Sequence, residues 1–242
     1  MKKLTPPNAS RENTLSFKAF REYMNLLKEQ IWRDYFARNS HRVRVKKEGT
    51  VVKNLVKIFE ATLAISNEKG FQAMSVRDLS RETDLSMGAL YSYFSSKEEL
   101  LDMIQEQGRL ITLRILLAEI DKGCDPMEKL HHAILTHLFL SEIMRPLFYF
   151  SYMEAKNLSK EEQKRAIESE LFTEKLFVDI LAGGQKKGIF RSVDRELTAA
   201  VIKAMLQDWY LKQWKYQRRK ISVEDYGKFL INFVEAFLLP LH

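Results

Sequence analysis

The sequence predicts an all-α protein: an N-terminal helix-turn-helix head, a body of long helices, and an extra amphipathic helix ahead of both. Apolar residues recur at spacings of three and four and almost never alternate, which is the helical period. Breakers are sparse, with 9 Gly and 5 Pro in 242 residues. Residues 70–100 also hold a dense run of helix-capping signals, after which the helices lengthen. A chain that is 45% apolar and 29% charged is an ordinary globular one, which excludes collagen-like, wholly disordered and disulfide-scaffold proteins. Cys124 is the one cysteine, so no internal bridge or cysteine zinc cluster can form, and a reducing cytoplasm is expected. The amino end is polar and no apolar run approaches the ~18 residues that cross a bilayer, so neither secretion nor membrane insertion is expected.

Residues 1–13, with Pro6 and Pro7, read as disordered. Residues 15–39 read as a helix whose stripe is Phe20, Tyr23, Met24, Leu27, Ile31, Trp32 and Tyr35. Such a face either docks on the body or a second copy, or meets a membrane surface or partner; docking is favoured because so many aromatic residues left in water invite aggregation. Residues 41–47, with Val43 and Val45 between basic residues, form an extended linker. The next helix starts at Gly49 or Thr50 and ends at Gly70, a natural left-handed terminator. Ser75 caps 76–83, Ser86 caps 87–93, and Ser96 with Glu99 three residues on opens 97–120. Pro126 opens a helix to about residue 142. Pro146 starts or kinks the next, to about 156. Ser159 with Glu162 caps 160–187, Asp194 begins a helix to about 216, and Ser222 begins the last, stopped by Pro240. The expected domains are therefore 1–48, 49–100 and 101–242.

Net charge is +7, and residues 1–50 carry all of the excess, twelve basic against five acidic. That asymmetry points to a polyanion, either nucleic acid or an anionic membrane surface. Within residues 71–100 the two short helices joined by Thr83-Asp84-Leu85-Ser86 fit a helix-turn-helix. Val76, Leu79 and Met74 belong to its core from the first helix, and Leu85, Leu90 and Phe94 from the second. The Ser86 cap leaves backbone N–H groups near the surface, where a phosphate can bind. Met87, Gly88 and Ala89 are small or flexible, so the helix can lie close to a major-groove floor, with a thymine methyl in reach of Ala89 or Met87.

These residues resemble the TetR-type bacterial transcriptional regulators. The resemblance rests on 58–64, Gly70-Phe71, Ser75-Val76-Arg77-Asp78-Leu79, the run from Leu85 to Phe94, and Ser96-Lys97-Glu98-Glu99-Leu100. It covers about a fifth of the chain, and the LYxYFxSKEEL ending is specific. It implies double-stranded palindromic DNA as partner and a homodimer reading two half-sites. By resemblance, Ser75 is a phosphate contact and Arg77 a phosphate or guanine contact. Ser86, Met87, Gly88 and Ala89 face the groove, Tyr91 and Tyr93 are aromatic DNA contacts, and Lys97 binds phosphate. Two departures stand out. Asp84 occupies the turn where Gly is usual, which Asp tolerates in a left-handed conformation at some cost, or where it instead repels phosphates and restricts the pose, and a long basic segment precedes the first helix of the head.

Residues 51–100 are nearly neutral, six basic against seven acidic. Arg42, Arg44, Lys46 and Lys47 are therefore expected to supply the attraction to DNA, and deleting residues 1–47 to weaken it and flatten its salt dependence.

For the body, Leu197, Val201, Met205, Phe229, Phe233 and Phe237 are the expected dimer face. Phe139, Phe148, Tyr152, Met153, Phe177 and Trp209 are candidates for a cavity holding a small lipophilic effector, with core packing the plainer reading of any one of them. No metal or cofactor is expected: His131, His132 and His137 lack ligand spacing, and Gly183-Gly184 is followed by no phosphate-loop Lys-Ser/Thr. No nucleophile with a base can be named, so no enzyme is expected. The function expected is a ligand-responsive regulator, a repressor by preference. The rivals are a constitutive or architectural DNA binder and an interaction module acting through residues 15–39.

Overall fold

A computed structural model describes residues 15–39 and 47–240. The expected disorder of residues 1–13 and most of the proposed linker, including Arg42, Arg44 and Lys46, lie outside them. No strand occurs among the described residues. They form eleven α-helices, in order α1 (Phe17–Asn39), α2 (Glu48–Lys69), α3 (Val76–Thr83), α4 (Met87–Leu90), α5 (Lys97–Ile120), α6 (Pro126–Ile143), α7 (Arg145–Met153), α8 (Lys160–Lys186), α9 (Arg195–Leu211), α10 (Gln213–Arg218) and α11 (Val223–Leu238).

The helix starts follow local chemistry. Ser75, Ser86, Ser96, Asp125, Ser159, Asp194 and Ser222 each accept a backbone N–H at the third helical position. At Ser75 and Ser222 the aspartate three residues on completes a reciprocal box. At Ser96 the Glu99 carboxylate reaches past the cap to the Ser95 N–H and hydroxyl, 2.6 Å each. Asp84 adopts the left-handed conformation the turn requires, φ 56° and ψ 31°.

Four boundaries differ from the sequence reading. α2 starts at Glu48, with an extended Lys47 before it and no side-chain cap. α4 is a single turn, followed by looser turns to Tyr93. α7 stops at Met153 and a 3₁₀ turn covers Ala155–Asn157. The expected helix 194–216 breaks at Lys212 into α9 and α10.

Two apolar cores result. The head core gathers Leu55, Ile58, Phe71, Met74, Leu79, Leu90 and Phe94 with Leu100 and Ile104 of α5, and it admits Tyr35 of α1. The body core surrounds α6, which is apolar on nearly every face and touches α1, α5, α7, α8, α9 and α11. Phe20, Met24, Leu27 and Ile31 of α1 are buried in that second core. Helix α1 is therefore docked as expected, and it enters both cores rather than standing apart. Its apolar stripe is occupied, which removes the reading of α1 as a free membrane or partner helix. Ion pairs also tie the same helix to its neighbours, among them Lys28 with Glu60 (3.0 Å), Arg33 with Glu48 (3.0 Å) and Asp34 with Arg114 (2.6 Å). No helix among the described residues is long and apolar enough to cross a membrane.

Candidate nucleic-acid interface and body cavity

The head presents α3 and α4 with their apolar sides on the head core and their polar sides outward. In the Ser75 box, the Asp78 carboxylate accepts from the Ser75 N–H (2.9 Å) and hydroxyl (2.8 Å), from Lys69 (2.9 Å) and from Arg81 (2.8 Å). The Lys69 hydrogen bond above all, then those from Ser75, hold that carboxyl well below the usual carboxylate range. The start of α3 is thus locked in an ionised box, with Ser75 exposed at its edge.

Arg77 is exposed and has no ion-pair partner among the described residues. Ser86 and Gly88 are exposed and Met87 and Ala89 half-buried at the start of α4; a Cβ on Gly88 would meet nothing within 4 Å. Tyr91 keeps 45% of its surface and rests against Phe94, ring centroids 6.2 Å apart. Lys97 folds back, donating to the Gln72 carbonyl (3.2 Å) with its ammonium 5.0 Å above the Phe71 ring. Lys47 is exposed.

Tyr93 departs from the expectation. It is 2% exposed, with its hydroxyl accepting from Asn54 (2.8 Å), so its ring is a core element of the head and not an aromatic DNA contact. Three positions separate the exposed Tyr91 from the buried Phe94. Tyr93 falls on the inward side of the turns that follow α4.

The body holds a cavity of about 320 Å³ between α5, α7, α8 and α9. Phe148 and Tyr152 line it as expected. Phe139, Phe177 and Trp209 do not: all three are buried in the body core, and Trp209 donates to Glu142 (3.0 Å). Met153 is exposed and absent from the lining. The polar part of the lining is not anticipated by the sequence reading. Lys203 is buried, donates to Thr173 (2.8 Å) and pairs with Glu170 (3.3 Å), and burial pulls its pKa down. Arg109 pairs with Glu162 (2.6 Å) while its Nη1 is buried without a partner. The signal for Lys203 existed, since Ala199, Ile202, Leu206 and Trp209 share its buried stripe.

His137 also lines the cavity, fully buried, with its Nδ1 unpartnered and Phe148 edge-on at 5.8 Å. Burial first, then the Lys203 charge, hold its pKa well below the ordinary value, so it is neutral in the folded protein. As pH falls below about 6.5 the unfolded chain takes up that proton and the folded one does not, so stability is lost toward acid. Thermal melts from pH 7.5 to 5 are expected to show a shallower fall in Tm for His137→Leu than for the unaltered protein. Equal slopes would place the acid sensitivity elsewhere.

On the outer side of the body, Leu197 (67% exposed), Val201, Phe229, Phe233 (53% exposed) and Phe237 lie in the open, and Met205 is half-buried beside them. Phe229 and Phe233 stack at 6.3 Å, and Arg191 covers Phe237 at 4.6 Å. The expected dimer face is therefore one apolar surface shared by α9 and α11, left uncovered in the single chain. Among the described residues no group of three metal-ligating side chains gathers.

Comparison with known proteins agrees with this architecture. Residues 58–104 match the family described as bacterial regulatory proteins, tetR family, and residues 123–233 match a tetracyclin repressor-like C-terminal domain. The chain is 23% identical over 181 residues to the transcriptional regulator HbdR of Aromatoleum sp. strain CIB, covering 75% of this chain and 79% of that one. Its fold resembles the ketosteroid transcriptional regulator KstR2 of Mycobacterium tuberculosis (TM-score 0.69, 21% identity, 77% and 95% covered). It likewise resembles AibR in complex with isovaleryl coenzyme A and operator DNA (TM-score 0.66, 17% identity, 74% and 97% covered).

Proposed function

Because the chain belongs to the tetR family of bacterial regulatory proteins and is a DNA-binding transcriptional regulator, we propose that it is a homodimeric repressor. In this reading it leaves a palindromic operator when a small lipophilic effector fills the body cavity. The observation that carries the reading is the pairing of an outward-facing α3–α4 surface with a part-polar cavity between α5, α7, α8 and α9. Head (49–100), body (101–242) and N-terminal extension (1–48) are the proposed units. Arg77, Tyr91, Ser75, Ser86 and the α4 turn hold the DNA, with Lys97 bracing the Gln72 turn.

The cavity supports a ligand with an apolar part against Leu147, Phe148 and Tyr152 and an acceptor group toward Arg109. AibR, with its acyl thioester ligand and operator DNA, makes acyl compounds reasonable first probes. Effector binding releases DNA only to the extent that it favours head spacings unable to span both half-sites. A gel shift with DNA from upstream of the protein's own gene tests this, with and without a lipid extract and acyl-coenzyme A mixtures. Loss of the shifted band on addition is expected; a band indifferent to every extract would leave a constitutive binder.

Gly88→Ala is expected to leave the fold as stable or about 0.5–1 kcal/mol more so. The same methyl stands between α4 and the groove, so operator affinity measured by anisotropy falls on the order of tenfold, about 1.4 kcal/mol. Neutralising Arg42, Arg44, Lys46 and Lys47 to Gln is expected to lower the slope of log affinity against log salt by about 0.9 for each phosphate these side chains neutralise. Deleting 1–47 is no substitute, since it would also strip Phe20, Met24, Leu27, Ile31 and Tyr35 from the two cores.

A further inference from the structure

A second cavity, of about 400 Å³, lies where α1 closes over the junction of head and body. Met24, Ile31 and Trp32 of α1 form one wall, and Phe59 and Leu63 of α2 another. Ile104 and Ile111 of α5 form the floor, and Met144 and Leu147 close the far side. Its charged rim residues, Lys28 and Glu60, neutralise each other at 3.0 Å, and the remaining polar rim is the amides of Asn25 and Gln107. A volume of this size is in the range that holds a small molecule, and a lining without an unpaired charge penalises an ionised one.

We propose that this junction cavity is a second small-molecule site, which takes an uncharged hydrophobic compound and exists because α1 walls it. It is separate from the body cavity, yet Leu147 lines both. A Cβ on Gly108 of α5 would come within 3.1 Å of that leucine, so it has little room to move on the body side. A ligand on one side therefore meets the same side chain as a ligand on the other. Because α2 carries the head core and α5 spans head and body, a compound wedged here bears directly on their relative position.

The test uses 1-aminoanthracene, a neutral fluorophore, on the full chain, with an anionic naphthalenesulfonate dye for comparison. Saturable binding is expected, at least tenfold tighter for the neutral dye. Excitation of tryptophan should sensitise the dye's emission, and Trp32→Phe should lower that signal measurably without abolishing binding, because Trp32 is in contact with the cavity while Trp209 and Trp214 do not line it. Leu63→Trp fills the site and should weaken dye binding at least tenfold; Ala166→Trp, which narrows the body cavity, should leave it unchanged. No saturable binding to the unaltered chain overturns the proposal, as does loss of binding in Ala166→Trp alone. Should Leu63→Trp fail to fold, sensitised emission that survives Trp32→Phe at full strength overturns it equally. None of these readouts depends on operator binding, so the proposed repressor function can fail while this site stands.

Discussion

Replacing Arg77 and Tyr91 together by alanine is expected to reduce operator affinity by roughly two orders of magnitude, about 2–4 kcal/mol, with an unchanged melting temperature. The reasoning is positional. Arg77 lies on the outward face of α3 with no ion pair to give up, and Tyr91 projects from the turn after α4 with nearly half its surface open. Neither contributes to the head core, so their removal leaves no cavity. If either grips a phosphate, the salt dependence also falls by about 1 for each phosphate gripped. Tyr93→Ala is the informative contrast: with its ring buried and its hydroxyl tied to Asn54, it should unfold the head, costing about 3–5 kcal/mol. Retained sequence-selective affinity in the double variant would remove α3 and the α4 turn from the DNA interface.

The second large effect is expected at the outer face of α9 and α11. Leu197→Glu with Phe233→Glu should give a monomer by sedimentation at micromolar concentration and abolish cooperative occupation of the two half-sites. Burial of a large apolar side chain stabilises by about 1.5–3 kcal/mol, and five such side chains stand exposed on this one surface. Two carboxylates placed there would each have to be desolvated on association, which association cannot offset. Both positions point away from the body core, so the monomer should keep its helix content. A variant that remained dimeric would move the interface elsewhere on the body, with the exposed Ile167, Leu171 and Phe172 of α8 the next face to examine.

What could be read from the sequence was what is decided locally. Caps at Ser75, Ser86, Ser96, Ser159, Asp194 and Ser222 involve groups three residues apart, and Pro126 marks a first turn, so the starts of seven helices were legible. The division of α9 from α10 was not, because Lys212-Gln213 contains no breaker. That break coincides with Asp208, whose carboxylate takes hydrogen bonds from Lys212, Lys215 and Tyr216, a cluster formed only in the folded chain. For the cavity, an aromatic side chain at helical spacing has the same signature whether it walls a void or fills one. Phe148 and Tyr152 could therefore not be told from Phe139, Phe177 and Trp209. The outward face of α9 and α11 was legible for the opposite reason: each helix carries a second apolar stripe beyond the one its own core can bury.

The backbone N–H of Phe17 is held by the Glu224 carboxylate at 2.9 Å, and the Phe17 and Phe20 rings pack on Phe139 at 5.3 and 5.7 Å. Helix α1 thus leaves the ribosome well before the partners it packs on, α6 and α11, are made. With synthesis at roughly 5–20 residues per second, its greasy stripe stays uncovered for on the order of ten seconds while α6 is being made. Fusions that stall translation before α6 emerges should therefore aggregate where the finished protein does not.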